Sequence, residues 1–226
     1  MRDCGAARGT IVALALGLTL VGCGHPEQRV VDQYFGAVNQ KDNQTLSSFA
    51  VVGFDQKVDK WSIAQASPEN RQPAPLSGLV KKRNEADAAV NDNKKTASAF
   101  ALDHIAEVDQ VREAHKKNQP VPAKLAGIAA EWDKFNQKDR DLKKVLAEAK
   151  EAVEKEKRNV TLSVGQLEDM ESLTGEMVSK DFALVLTIGG QPKNYQMRIQ
   201  KYELSSGEKG PRVGSRWIVY SLAPKG

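Results

Sequence analysis

The stretch DFALVLTIGGQPKNYQMRIQKYEL, residues 181–204, decides the fold class. Residues 181–188 are apolar on both faces, which suits a central strand. Residues 189–194, GGQPKN, have the composition of a turn. Residues 195–204 alternate, with Tyr195, Met197 and Ile199 on one face. Tyr202 and Leu204 then fall on the other face, so a bulge is expected near Lys201. The loop SSGEKGPRVGS, 205–215, leads to a last strand, RWIVYSL, 216–222. Three long strands joined by hairpin-length loops predict an α+β fold, an antiparallel sheet with helices packed on one face.

Upstream, residues 27–40 read as an amphipathic helix. Val30, Val31, Tyr34, Phe35 and Val38 form one buried stripe, and Pro26 suits the first turn, where its missing N–H costs nothing. Asp42 is placed to cap a shorter helix carrying Leu46 and Phe49. Val58 to Ile63 and Val160 to Val164 are read as short strands, and the proline-rich residues 66–78 as loop.

Between Gly78 and Arg158 glycine almost vanishes and Ala, Lys, Glu and Asp dominate. Pro120 and Pro122 would break a helix interior, so a turn belongs at 117–127, between two helical arms. The second arm carries a seam at alternating spacings of 3 and 4: Leu125, Ile128, Trp132, Phe135, Asp139, Leu142, Leu146, Ala149, Val153. The first arm is less regular: Ala86, Val90, Asn93, Ala97, Phe100 or Ala101, Ile105, Val108, Val111. Its phase slips after Ala97, as at a stutter. The expectation is a long antiparallel α-helical hairpin (coiled coil) interrupting the sheet, each arm roughly 50–60 Å long. Acid-first pairs four residues apart, such as Glu151 and Lys155, support its solvated faces. An antiparallel pairing about the turn brings His104 near Asp139 as a candidate polar pair fixing register. The candidate docking tip is Val121, Pro122 and Leu125.

The helix-then-sheet order, with VVDQYFGAVNQKDNQTLSSFA at 30–50, is similar to the NTF2-like (cystatin-like) superfamily. That resemblance implies a curved antiparallel sheet over a cavity. Asp32, Tyr34, Asp55, Asp59, Tyr195 and Tyr202 would be its polar liners. The long insertion departs from the family pattern. Acid–base catalysis needs such groups paired and desolvated, and the sequence pairs none of them, so no catalytic residue and no cofactor is assigned. No phosphate loop, H-E-x-x-H or G-x-S-x-G occurs.

The N-terminus carries the other resemblance. Arg2 and Arg8 precede an apolar run from Ile11 to Val21, too short to span a bilayer. It ends Leu20-Val21-Gly22-Cys23, which resembles the bacterial lipobox. The resemblance implies cleavage before Cys23 and its acylation, and two or three chains would anchor the protein stably. Gly24 after Cys23 is compatible with sorting to the outer membrane. Cys4 would leave with the signal, so neither cysteine would remain for a disulfide, a thiolate metal site or thiol catalysis. The chain then divides into signal peptide 1–22, lipidated tether 23–26, first module part 27–77, hairpin 78–158 and second module part 159–226.

The net charge of +4 is weak, and its basic residues are diluted by acids without interleaved aromatics, which argues against nucleic acid. No metal set stands out. The reading is a non-catalytic envelope lipoprotein on the periplasmic face of the outer membrane. Its partners are the bilayer, through Cys23, and an envelope protein docked on the hairpin. The alternatives are small-molecule or peptide binding in an NTF2-like cavity, and an adaptor-like component of a transport system. The last would need Gly-Val-rich lipoyl halves, which are missing.

Overall fold

The computed structural model describes residues 26–207, 210 and 213–225. The lipobox residues 20–22 and Cys23 lie outside them. The described chain is mixed α and β, with five α-helices and a five-stranded antiparallel sheet.

Helix α1 (Pro26–Gln40) buries the expected stripe: Val31, Tyr34, Phe35 and Val38 are all in the core. Asp42 caps α2 (Asn43–Phe49), its Oδ1 accepting from the Thr45 N–H at 2.9 Å. Strands β1 (Lys60–Ala66) and β2 (Asn70–Pro73) lie one after the other along the same side of β3 (Thr174–Ile188). The proline-rich segment is therefore not all loop. Residues 70–73 pair with β3, and Pro75 starts the next helix.

β3 pairs without a register break with β4 (Gln191–Ser205), which pairs with β5 (Ile218–Pro224). The turn between β3 and β4 is only Gly189-Gly190, both at positive φ, and residues 191–194 already belong to the strand. Two left-handed residues give a turn whose twist matches the flanking strands.

The bulge expected near Lys201 is absent from the β3–β4 ladder. The irregularity lies between β4 and β5, where Arg198 pairs with Ser221 and Ile199 with Val219. Tyr195, Met197 and Ile199 pack under α1 and α2 with Phe182, Leu184 and Leu186. Tyr202 and Leu204, on the opposite face, pack in a second cluster with Leu76, Val153, Val160 and Ile218. The switch of apolar face that looked like a bulge is a strand buried on both faces by different helices. Helices accordingly cover both faces of the sheet, not one.

The second cluster is built by α3 (Pro75–Asp103) and α5 (Ala126–Val164), with α4 (Ile105–Lys116) following α3. Val160 to Val164 are the last turns of α5, not a strand. Ser163 explains part of the anchoring: its Oγ donates to the Arg216 carbonyl and accepts from the Tyr202 N–H. Arg216 in turn donates to the carbonyls of Leu162 and Ser48, at the C-terminal ends of α5 and α2. A cation there meets the negative end of both helices.

Candidate functional site

The six polar residues assigned to a cavity are not gathered into one. Asp32 accepts from the Trp61 and Gln28 side chains at the surface. Asp55 and Asp59 are exposed, and Asp59 accepts from the Gly190 N–H. Tyr34 is buried and donates to the Val52 carbonyl; burial pushes its phenol up to about 12. Tyr195 lies edge-on to Phe54. The space between α1 and the sheet is filled by Tyr34, Phe35, Phe54, Trp61 and the strand residues of the first cluster.

Tyr202 faces the other way and belongs to a buried polar network that the sequence did not announce. Its hydroxyl donates to Glu156 Oε1 at 2.7 Å and accepts from Gln200 Nε2 at 2.9 Å. Asn159 Nδ2 donates to Glu156 Oε2 at 3.1 Å. Burial raises the Tyr202 phenol pKa, so the hydroxyl stays a donor. Each oxygen of the 8% exposed Glu156 carboxylate has a donor, which suits a structural tie between α5 and β4. Glu156 and Asn159 sit three residues apart on one helical face, the signal that could have shown them.

The helices beyond the sheet hold the more open site. Ala86 and Val90 of α3 pack with Leu142 and Leu146 of α5. Further out, Val111 of α4 packs with Leu125 and Ala129, and Val121 and Trp132 lie against them. Every seam residue of the second arm is buried or half-buried. Of the docking-tip residues, Leu125 is buried and Val121 half-buried in this internal packing, so Pro122 alone is exposed.

The exposed apolar residues lie elsewhere. Leu102 is 69% and Ile105 57% exposed, either side of His104, where the α3 conformation breaks before α4. Asn93 meets Phe135 on α5, whereas Val111 meets Leu125 and Ala129. The first arm thus spends more residues than α5 does between the same two levels. The break at His104 takes up the excess, and Ile105 leaves the seam it was assigned to.

That mismatch also separates the candidate polar pair. His104 stacks on Phe100, ring centroids 4.8 Å apart, and makes no hydrogen bond or ion pair with Asp139. Asp139 lies one turn along α5 from Phe135, which meets both Asn93 and Phe100. Its Oδ2 takes Lys143 Nζ at 2.6 Å.

A groove of about 720 Å³ opens at this level between α3–α4 and α5. Ala97, Ala101, Leu102, Ile105, Val108, Trp132 and Phe135 supply its apolar lining. Arg112 lies over the Trp132 ring at 4.5 Å and pairs with Asp109. Asn93, only 4% exposed, donates through Nδ2 to the Phe135 carbonyl at 3.3 Å, and its Oδ1 has no partner among the described residues. Asp139 Oδ1 is likewise buried without one. Asn93 and Asp139 both stand in the seams read from sequence, and the slip after Ala97 was the signal for the opening beside them. Among the described residues no group of three or more His, Cys, Asp or Glu could hold a metal ion, and no helix is long and apolar enough to cross a membrane.

Comparison with protein-family models, with curated proteins and with solved structures yields no match.

Proposed function

We propose that the protein is a non-catalytic lipoprotein of the bacterial envelope, held by acylated Cys23, whose α3, α4 and α5 form a helical hairpin that docks a partner protein. The module of α1, α2 and the sheet is read as NTF2-like, and the anchored face as the periplasmic side of the outer membrane.

One observation carries the docking reading. The clusters around Val90 and Leu146 and around Val111 and Leu125 draw on no residue of the sheet. These helices therefore extend past what the sheet needs for its own core. At about 1.5 Å per residue, the 39 residues of α5 reach roughly 58 Å. Between the two clusters lies an apolar groove whose lining includes exposed Leu102 and Ile105, and exposed apolar patches of this kind mark interaction surfaces. The filled first cluster gives the small-molecule alternative little room.

The test has two arms. Cys23→Ala should move the protein from the membrane fraction to the soluble one and abolish labelling by radioactive palmitate. Excising residues 86–150 across a short loop keeps Leu79, Val80 and Val153 in the second cluster. It should leave the sheet folded by circular dichroism and remove the protein that co-purifies with the full chain. Unchanged co-purification would overturn the docking reading.

A further inference from the structure

We propose that the outer part of α3–α4 has two registers against α5, about one turn apart, and that sliding between them opens and closes the docking face. The two registers follow from the packing of these helices; their control over a partner rests on the docking reading.

The inner seam sets one register. Ala86 and Val90 pack with Leu146 and Leu142. Continued outward in three- and four-residue steps, that offset places Ala97 by Phe135, Ala101 by Trp132, Ile105 by Ile128, Val108 by Leu125 and Val111 by Val121. Small side chains of the first arm then meet the two large rings of α5, and apolar meets apolar at every later step, as a packed seam requires. Beyond the inner seam the structure holds the other register. Phe100 lies against Phe135 where Ala97 would, ring centroids 5.4 Å apart, and Val111 packs with Leu125 where Val108 would. The outer part therefore runs three residues ahead, close to one helical turn and about 4.5 Å of rise.

The strain of that offset shows between the two seams. Ile105 is 57% exposed instead of meeting Ile128, and the groove of about 720 Å³ stands open. Asn93 Oδ1 and Asp139 Oδ1, in its lining, are buried without a partner among the described residues. The helix is interrupted at one residue, His104 at φ −129° and ψ 40°, and α4 begins there with no side-chain cap. His104 N–H still donates to the Phe100 carbonyl, and the His104 carbonyl accepts from Val108. Straightening one residue therefore joins α3 to α4. Contacts special to the observed register oppose the slide: Phe100 on Phe135 and His104, Arg112 over Trp132, and His115 Nδ1 3.7 Å from Asp133. Each register keeps contacts that the other gives up, the condition for a one-turn ratchet between two packed states. Sliding toward the tip seats Ile105, fills the groove with side chains of the first arm and adds the released residues to the connection before α5. A partner bound in the open groove holds the observed register.

The experiment uses the full chain with nitroxides on ketone-bearing residues at exposed Gln110 of α4 and Lys138 of α5. A control pair sits on the inner seam, at exposed Lys82 and Lys150. Pulsed electron paramagnetic resonance distances compare two substitutions. Phe100→Ala removes the stacks that hold the observed register. Ala101→Phe has room in the open groove but would strike Trp132 in the other register. The Gln110–Lys138 distance should be about 4–5 Å longer in F100A than in A101F, with the control pair unchanged. The amount of protein that co-purifies should be several-fold lower for F100A than for A101F. Equal Gln110–Lys138 distances in the two variants would overturn the two registers. Should either variant fail to fold, which a melting curve checks, the unsubstituted labelled chain decides. Two distance populations about 4–5 Å apart sustain the proposal, and a single narrow one overturns it. Shifted distances with equal co-purification overturn the control of docking. If the distances stay equal while excision of 86–150 still removes the co-purifying protein, the switch is wrong and the docking reading stands. If the distances shift while excision removes nothing, the two registers stand and the docking reading falls.

Discussion

At the residue scale, the side chains that set this molecule apart are polar groups buried in apolar surroundings. Glu156, Asn159, Gln200 and Tyr202 form a satisfied network between α5 and β4. Removing one member leaves its partners buried and unpaired, which costs more than the bond itself is worth. Tyr202→Phe should therefore lower stability by about 1–3 kcal/mol in urea unfolding. A loss no larger than that of an exposed control, such as Ser62→Ala, would show the network to be dispensable. Little of this was legible beforehand. Tyr202 was grouped with five residues as a cavity liner, because alternation alone does not reveal that β4 is covered on both faces. The stripe on α1 was legible, since Val31, Tyr34, Phe35 and Val38 follow helical spacing and share one destination. So was the Asp42 cap, a local device that needs no tertiary partner. The His104–Asp139 pair was not, because register between two helices depends on every residue between them. A break in the first arm falls at His104, and Asp139 pairs with Lys143 on its own helix instead.

At the element scale, the long β3–β4 ladder is the organising unit, and its two-residue turn fixes the register. Both turn glycines occupy left-handed backbone, with φ of 58° at Gly189 and 76° at Gly190. A β-branched side chain there is strained whatever space surrounds it. Gly190→Val should cost about 1–2 kcal/mol and slow refolding, measured by stopped-flow fluorescence and equilibrium unfolding. If refolding is unchanged while stability falls, the turn forms after the rate-limiting step. The sequence marked 181–188 and 195–204 as strands and 189–194 as turn, but stopped the hairpin short. Residues 191–194 are polar and exposed, so their pairing leaves no apolar signature. Val160 to Val164 were misread for a related reason. A short run rich in β-branched residues fits a strand, yet the continuation of α5 places Val160 and Ser163 against β4 and the chain before β5. Propensity yields to packing where a helix already arrives with its face toward the sheet.

At the scale of the whole molecule, two ion clusters tie distant segments together and predict the acid response. Glu171 accepts from Arg83 of α3 and pairs with Lys157 of α5. These cations hold its carboxyl at about 2, well below the usual value of 4.5, with Arg83 the larger cause. Glu203 is held at about 2 by Lys201 first and then Arg71. Both carboxylates are easier to ionise in the folded chain. Their stabilisation is therefore full above the ordinary carboxylate range and is lost as pH falls from about 4.5 toward 2. The urea midpoint should drop across that window, and Glu171→Gln should flatten part of the drop; an identical pH profile in the variant would contradict it. The first cluster ties α3 and α5 to the segment just before β3, the second joins β2, β3 and β4, and the groove lies farther out along α3, α4 and α5. The largely helical character of residues 78–158 was legible from composition and seam spacing. The exposed apolar site was not, because the expected tip folds its own Leu125 and Val121 inward. The most direct measurement of docking is photo-crosslinking in living cells, with the reactive residue placed at Leu102 and, separately, at exposed Gln196 on the sheet. The account predicts one discrete protein adduct from Leu102 and none from Gln196. No adduct from Leu102, or the same adduct from both positions, would contradict it.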